Sequence, residues 1–176
     1  GYVDSLSNRS HSRSNGHDLN VGVNYSDDTW MFNASLGVTP QRRTIDRKVG
    51  KLYADTAMNM IDFQPMIWMS WRKKEMRVSL NYNGNTRQPS LSDLMPLTDN
   101  SNPLYITRGN PDLKQMFSHN IRLNFQNSPK GISANLGGQV EQNSVTQVMI
   151  YDVQTGGRET YPVNINGNWN LSGGAS

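Results

Sequence analysis

Several short stretches of the chain alternate strictly between apolar and polar residues. In residues 18–26, Leu19, Val21 and Val23 fall on one parity, while asparagine and glycine fill the other. Successive side chains of a β-strand point to opposite faces, so this pattern predicts a strand with one apolar face. The predicted strands are 18–26, 29–38, 61–71, 76–83, 118–126, 132–151 and 160–171. Helical periodicity appears at no useful length, which indicates an all-β antiparallel up-and-down meander of about seven strands.

The connections between these strands alternate in length. Short turns are predicted at 27–28, 72–75 and 127–131, and long loops at about 39–60 and 84–117. Strand extensions near 51–58 are left open for the first of these loops. This alternation is typical of an outer-membrane barrel, which has short periplasmic turns and long external loops. The connection at 153–159 is short, so the last two strands are expected to project past the membrane and turn there. Residues 1–16 are expected to be a loop or frayed end, and residues 172–176 a turn-like tail.

Prolines interrupt the pattern at identifiable places. Pro40 is expected to break the chain in the first long loop, and Pro65 to lie at a bulge or an unpaired strand position. In the second long loop each proline removes a backbone donor, so no regular ladder is expected there. Gly109 is expected to turn the chain sharply by adopting a positive φ. The prolines of this loop are Pro89, Pro96, Pro103 and Pro111.

The second long loop also carries a specific set of motifs. In order they are Tyr82, Arg87-Gln88-Pro89-Ser90, Leu94, Pro96, Asp99 and Gly109-Asn110-Pro111-Asp112-Leu113-Lys114. Here the chain resembles the TonB-dependent receptor family, in particular its outer-membrane β-barrel branch, in which R-x-P-S and G-N-P-x-L-K follow a strand ending in tyrosine. That branch often continues with Pro-Glu. This chain has Gln115-Met116 instead, so its entry into the next strand is expected to differ.

The resemblance implies a place in the outer membrane of a Gram-negative cell and active import of a nutrient of the glycan or siderophore class. Barrels of this family have 22 strands. The whole chain, 1–176, is therefore interpreted as a partial barrel domain that contains no plug domain. The implied partners are outer-membrane lipid, the remaining barrel strands, the plug, and TonB, which would contact a segment absent from this sequence. A surface lipoprotein is a further candidate partner.

Composition agrees with a barrel wall. Hydrophobic residues make up 35% of the 176 residues and charged residues only 18%, with a net charge of +3. Mean hydropathy is −0.68. The excess of Asn, Ser, Gln, Thr and Gly suits a water-filled lumen. No apolar run approaches the ~20 residues of a spanning helix. The scattered basic residues form no continuous face, so nucleic acid is not an expected partner.

The apolar parity of the predicted strands carries no Lys, Arg, Asp or Glu. Its aromatic residues gather near strand ends, as in the two aromatic girdles of a membrane barrel. We expect four of them beside the short turns, with Trp169 at the matching end of the last strand; the four are Tyr25, Trp30, Trp71 and Phe125. Tyr82, Tyr161 and Phe63 are expected toward the long loops. Trp68 has the opposite parity and is expected to face the lumen, as a stacking platform or as packing against a plug.

Sequence motifs for chemistry are lacking. There is no cysteine and no GxSxG, HExxH or P-loop pattern, and the carboxylates lie mostly in loops. His11 and His17 have no third ligand nearby, and the segment Asp99-Asn100-Ser101-Asn102 lacks the glycine and distal glutamate of a calcium loop, so it is expected to be a turn. We therefore predict no enzyme activity, no cofactor, no catalytic residue and no metal site. No substrate-binding residue can be named from the sequence.

Two other functions remain open at this point. A soluble secreted all-β glycan-binding module would cover the same apolar face with a second sheet. In that case Trp30, Trp71 and Trp169 would be buried in a closed interior. A small complete outer-membrane barrel with an adhesin or structural role would instead need at least eight strands.

Overall fold

The computed structural model describes residues 8–49, 52–95, 98–102, 104–154 and 156–176. This part of the chain forms twelve strands, one short helix and one 3-10 turn. The strands are β1 Asn8–Gly16, β2 Leu19–Ser26, β3 Trp30–Val49, β4 Leu52–Lys73, β5 Met76–Arg87, β6 Thr98–Asn102, β7 Tyr105–Arg108, β8 Met116–Asn127, β9 Ile132–Gln142, β10 Ser144–Tyr151, β11 Arg158–Ile165 and β12 Asn168–Ala175. Helix α1 is Leu91–Leu94, and the 3-10 turn is Ser128–Lys130. No described helix is long and apolar enough to cross a membrane.

Eight strands form one antiparallel sheet, which we call the wall sheet. Its order is β1-β3-β4-β5-β8-β9-β12, and β2 pairs with β3 beside β1. Strands β2 and β1 pair with successive halves of β3, so together they act as one interrupted edge strand. The interruption lies opposite Pro40, which has no N–H to donate, and the His17 N–H donates to the Pro40 carbonyl at 3.2 Å. The sheet does not close on itself.

One face of the wall sheet, the apolar face, is built from continuous rows of side chains. Residues paired directly across antiparallel strands lie on the same face, so the register defines each row. One row is Tyr25, Phe32, Met69, Leu80, Leu123, Leu136 and Gly173. The next is Val23, Ala34, Ile67, Tyr82, Ile121, Gly138 and Leu171. Neither row contains a charged residue, as the parity of the sequence predicted.

Nothing in the described chain covers this apolar face. Val21 is 75% exposed and Trp169 70% exposed, so no second layer packs on them. Among the described residues, the buried hydrophobic side chains lie instead in the connection between β5 and β8 and at the first residue of β8; they are Leu94, Met95, Leu113 and Met116. The described chain therefore does not build the closed interior that a soluble sandwich requires, and that alternative is not supported.

An aromatic row lies within two residues of the strand ends at the short turns, as expected. Trp30 pairs with Trp71, with ring centroids 6.4 Å apart, and the row continues through Val78 to Phe125. The prediction for Trp169 was wrong. It pairs with Val140 at the start of β12, at the opposite end of the strand from the short turns. The parity of a residue in the sequence determines which face of the sheet its side chain lies on. Its position along the length of the sheet depends on where its strand begins.

The second sheet, which we call the distal sheet, has the order β10-β11-β7-β6. Strand β10 follows β9 after Asn143, whose φ of 55° turns the chain out of the wall ladder. Opposite it, β11 leads into β12 through Gly167, with a φ of 92°. The last hairpin is therefore one long bent ribbon, and its upper half belongs to the distal sheet. This explains why the alternating pattern of the sixth predicted strand blurs after Glu141.

Several segments predicted as loops or turns are strands. Residues 39–60 extend β3 and β4 as a paired hairpin, apart from residues 50–51, which lie outside the described residues. Residues 8–16 form β1 on its edge, while 1–7 are not described. Residues 172–175 belong to β12, and 98–102 form β6. These segments are polar in sequence, apart from apolar residues scattered over both parities of 39–60, so they lack the alternation of the other strand segments.

Proline positions agree with the register where they are described. Pro65 pairs with Leu36 on one side but lies just beyond the β4–β5 ladder, which begins at Met66. It is therefore unpaired on the β5 side, as predicted. The loop at 84–117 is less irregular than expected, because β5 extends to Arg87, β8 begins at Met116, and β6 and β7 form between them. Pro96 and Pro103 lie outside the described residues.

Candidate functional site on the polar face and the distal sheet

The face opposite the apolar rows, which we call the polar face, contains a groove of about 530 Å³. The register places Asn83, Asn120, Gln139 and Asn170 in one row across four strands. The adjacent row contains Asn81, Arg122 and Ser172, with Gly137 leaving space between the last two. Amide side chains offer both donors and acceptors, so this groove can hydrogen-bond neutral polar groups.

A less polar patch lies on the same face nearer the short turns. Trp68, Met31 and Met66 line a depression of about 510 Å³ together with asparagine side chains. The Asn33 amide nitrogen donates to the Asn24 side-chain oxygen, while the Asn33 oxygen is buried without a hydrogen-bond partner. Trp68 therefore stands on the polar face, as its parity predicted. The depression can therefore pack against an apolar or aromatic group from another part of the barrel.

The connection between β5 and β8 is anchored by the residues that carry the motif resemblance. Ser90 begins helix α1: its hydroxyl oxygen accepts the Asp93 N–H at 3.2 Å, and its O–H donates to the Asp93 carboxylate at 2.6 Å. At the other end, the Asn110 N–H donates to the Asp93 carbonyl at 2.5 Å. The Asn110 side chain donates to the Pro162 carbonyl at 3.0 Å. Both motifs therefore fasten this connection to itself and to β11.

Gly109 is needed for a different reason from the one predicted. It is not among the glycines with positive φ, which are Gly131, Gly156 and Gly167. A Cβ on Gly109 would instead lie 1.9 Å from the Met95 carbonyl oxygen. The requirement is thus a close approach of two backbone segments, which the sequence could not distinguish from a turn.

Asn164 of β11 connects the distal sheet to the chain segments just before β8 and just after β9. Its side-chain oxygen accepts the Lys114 N–H at 2.7 Å, and its amide group donates to the carbonyls of Lys114 and Asn143 at 3.1 and 2.7 Å. Gln147 of β10 donates to the Asp93 carboxylate at 3.1 Å. The long connection and the last hairpin therefore form one cross-linked unit above the wall sheet.

The distal sheet exposes a row of two tyrosines with an arginine between them. Tyr151 pairs with Arg158, which pairs in parallel with Tyr105. The Arg158 guanidinium carbon lies 4.4 Å from the centre of the Tyr105 ring, and Tyr105 is 51% exposed. Stacking on a ring fixes the guanidinium while leaving its N–H groups accessible. No described carboxylate forms an ion pair with Arg158, in contrast to Arg108, which bonds Glu159 at 2.8 Å.

The sequence analysis named none of the residues in this exposed row. Tyr105 and Arg158 are far apart in the chain, and only the parallel pairing of β7 with β11 brings them together. No local pattern signals that pairing. Tyr161, expected toward the long loops on the lipid side, belongs to the distal sheet, where Arg108 lies 5.2 Å over its ring.

Metal-binding clusters were searched for in the same part of the chain. No three His, Asp or Glu side chains of the described residues are grouped so that they could hold a metal ion. His11 lies on β1 opposite Asp46 of β3, and His17 lies at the gap between β1 and β2. The side chains of residues 99–101 are not described.

Comparisons with known proteins were made for sequence and for fold. Residues 42–176 match the outer membrane protein beta-barrel family. The fold is similar to that of the siderophore receptor PirA from Pseudomonas aeruginosa, with a TM-score of 0.57 and 13% sequence identity. The alignment covers 94% of this chain and 40% of the PirA chain, so this chain spans less than half of that receptor. A search of curated proteins gave no significant match.

The family match explains the two-sided wall. Hydrocarbon covers the apolar face, and the polar face lines the lumen. In such barrels the long connections lie outside the cell and the short turns in the periplasm, so the distal sheet is extracellular. From the match over residues 42–176, the chain belongs to the outer membrane protein beta-barrel family, and its place is the outer membrane.

Proposed function

We propose that this chain is part of the barrel wall of a TonB-dependent receptor that imports a nutrient of the glycan or siderophore class. The observation that carries the proposal is the anchored connection between β5 and β8. Its R-x-P-S and G-N-P-x-L-K motifs resemble that receptor family. Ser90 of the first motif caps helix α1, and Asn110 of the second motif joins that helix to β11. The fold similarity to PirA supports the same proposal.

The polar face supports a lumen that holds another part of the protein. In the proposed receptor a plug domain packs against the patch around Trp68. The remaining barrel strands pair with the open edges of the wall sheet, at β12 and at β1 and β2. TonB would act through a segment outside this sequence. The proposal gives the chain no catalytic step.

The distal sheet supports ligand capture on the cell surface. The exposed Tyr105 and Tyr151 rings can stack on a flat sugar or catechol ring, and Arg158 between them can bind an anionic or hydroxyl group. A surface lipoprotein, if one takes part, would close over this row. The lumen groove lined by Asn83, Gln139 and their neighbours offers further hydrogen bonds along the path inward.

The test is transport in the native host. The complete gene is deleted and restored on the chromosome, and growth is measured on a panel of glycans and ferric siderophores as sole carbon or iron sources. We expect loss of growth on one nutrient class, and the same loss when TonB is inactivated in the intact strain. Growth on every nutrient that is independent of both the gene and TonB would refute the proposal.

The ligand row is tested in the restored strain. The double variant Tyr105→Ala/Arg158→Ala should raise the nutrient concentration needed for half-maximal uptake about ten-fold, because stacking and the charged contact are both lost. Lys130→Ala removes an exposed cation from the 3-10 turn at the periplasmic edge and serves as the control. Equal uptake by the double variant and the control would show that this row does not bind the nutrient. The proposal of TonB-dependent import would be unaffected.

A further inference from the structure

The lipid-facing side of the wall contains a shallow groove of about 370 Å³ near its extracellular end. Gly138 forms its floor, and Ile121 on β8 and Leu171 on β12 flank it as the direct partners of Gly138. A side chain at Gly138 would fill the groove. Because Gly138 has none, a depression remains in an otherwise closely spaced apolar surface.

Hydrogen-bonding groups surround the upper end of this groove. Tyr82 Oη and His119 Nδ1 are 3.0 Å apart and form one hydrogen bond. If the tyrosine donates, the imidazole keeps an Nε2–H; if the imidazole donates, the tyrosine keeps its O–H. Either way the pair retains one donor with no described protein acceptor. Trp169, on the far side of Val140 from His119, contributes an indole N–H that is also free among the described residues.

These donors face lipid rather than water or protein. Val140 separates His119 from Trp169, so the two donors are two strand spacings apart, about 10 Å. The groove is continuous with the apolar face that hydrocarbon covers. Donors at this level need acceptors from a lipid headgroup, since an unpaired donor in an apolar setting is costly. The extracellular end borders the outer leaflet, whose lipid is a phosphorylated, multiply acylated glycolipid.

We propose that this groove is a binding site for one molecule of that outer-leaflet glycolipid, of the lipid A type. One acyl chain lies over Gly138 between Ile121 and Leu171. Phosphate or ester oxygens of the headgroup accept from the Tyr82–His119 pair and from Trp169. A headgroup with acceptors spread over a disaccharide can reach both donors, whereas the compact headgroup of a glycerophospholipid reaches one. The inference rests on the barrel family and not on the proposed transport function.

The full-length protein in detergent provides the test, with purified diphosphorylated lipid A as the probe and native mass spectrometry as the readout of bound lipid. Gly138→Leu should weaken lipid A retention about ten-fold by occupying the groove. The change is sterically mild, because a Cβ at Gly138 would meet its nearest atom, Ile121 Cγ2, at 3.4 Å. Ala134→Leu adds bulk to the same face of β9 near the periplasmic end and should leave retention unchanged.

A second variant separates the headgroup from the acyl chain. The double variant Tyr82→Phe/His119→Phe keeps both aromatic rings but removes the hydroxyl and imidazole donors. It should weaken lipid A retention several-fold more than it weakens retention of phosphatidylethanolamine. Heat-dependent gel mobility reports whether each variant remains folded. The proposal is overturned if folded Gly138→Leu retains lipid A like the wild type. It is equally overturned if the wild type retains phosphatidylethanolamine as strongly as lipid A.

Discussion

Replacing Gly109 by alanine should release the extracellular connection from the last hairpin while leaving the membrane wall intact. The added Cβ would lie 1.9 Å from the Met95 carbonyl oxygen, whereas real Cβ contacts are essentially never closer than 3.0 Å. The backbone must therefore separate by about 1.1 Å, which is the difference between these two distances. The adjacent hydrogen bond from the Asn110 N–H to the Asp93 carbonyl measures 2.5 Å and would reach the limit of hydrogen bonding.

The magnitude follows from the contacts that this shift disrupts. Overpacking costs about 1–3 kcal/mol, and each net hydrogen bond contributes about 1 kcal/mol. Two such bonds depend on the position of Asn110, one from its backbone N–H and one from its side chain to the Pro162 carbonyl. A local destabilisation of about 3–5 kcal/mol results, which corresponds to amide exchange that is faster by roughly a hundred-fold or more.

Hydrogen–deuterium exchange of the purified protein in detergent measures this directly. Exchange should accelerate in peptides covering 104–116 and 158–164, but not in peptides from the wall strand β8 beyond Asn120. The control is Gly156→Ala in the neighbouring turn, where φ is +69° and no atom lies within 4 Å of the new Cβ. That variant should show only local strain of about 1 kcal/mol. If Gly109→Ala exchanges like the wild type, the close approach does not hold the connection.

Three further outcomes follow from the fold. Leu123→Arg on the lipid face should cost about 2–4 kcal/mol in refolding into lipid vesicles, whereas Asn124→Arg on the lumen face should cost less than about 1 kcal/mol; equal costs would contradict the assignment of faces. Asn143→Val should destabilise the bend by about 1–2 kcal/mol in thermal unfolding because a β-branched residue resists the φ of 55°, while Asn143→Gly should be neutral. The pKa of the Asp27 carboxyl is lowered, first by the Tyr25 hydroxyl and then by the N–H groups of Trp30 and Thr29. The pKa of Asp27 is lower in the folded state than in the unfolded state, so its stabilisation of this turn is complete above pH ~4 and is lost as the pH falls through the folded-state pKa. In the wild type, protection of the Thr29 amide against exchange should fall over that pH range. In Asp27→Ala this protection should be absent.

Most of the membrane wall could be predicted from the sequence. Each spanning segment has lipid on one side and lumen on the other, so alternation survives in every strand, as in 18–26 and 118–126. The short turns and the absence of charged residues from the apolar parity also follow from the position of these strands between lipid and lumen. Five of the seven predicted strands correspond to the wall strands β2, β3, β4, β5 and β8. The predicted strands 132–151 and 160–171 each run across the bend, from β9 into β10 and from β11 into β12.

The extracellular part could not be predicted in the same way. There water surrounds both sides of a strand, so residues 41–49 and 52–60 form a paired hairpin without any apolar alternation. The distal sheet depends on a parallel pairing between β7 and β11, which no local pattern encodes. The sequence identified Gly109 as a special position. It could not show whether glycine is needed there for a positive φ or for a close approach of two backbone segments. The contact between Tyr105 and Arg158 depends on this parallel pairing, so the sequence could not predict it either.

The bend at Asn143 and Gly167 separates two evolutionary constraints. Below it, the register of β9 and β12 must match lipid and neighbouring strands, so insertions there would shift every side chain to the wrong face. Above it, the ribbon is tied to the rest of the molecule through the parallel pairing of β11 with β7, through Asn164 and through the Asn110 joint. Residues 144–165 can therefore change length and composition as a cassette, provided that these attachment points are kept. New surface specificity could arise by exchanging that cassette, without redesigning the part of the chain that must insert into the membrane.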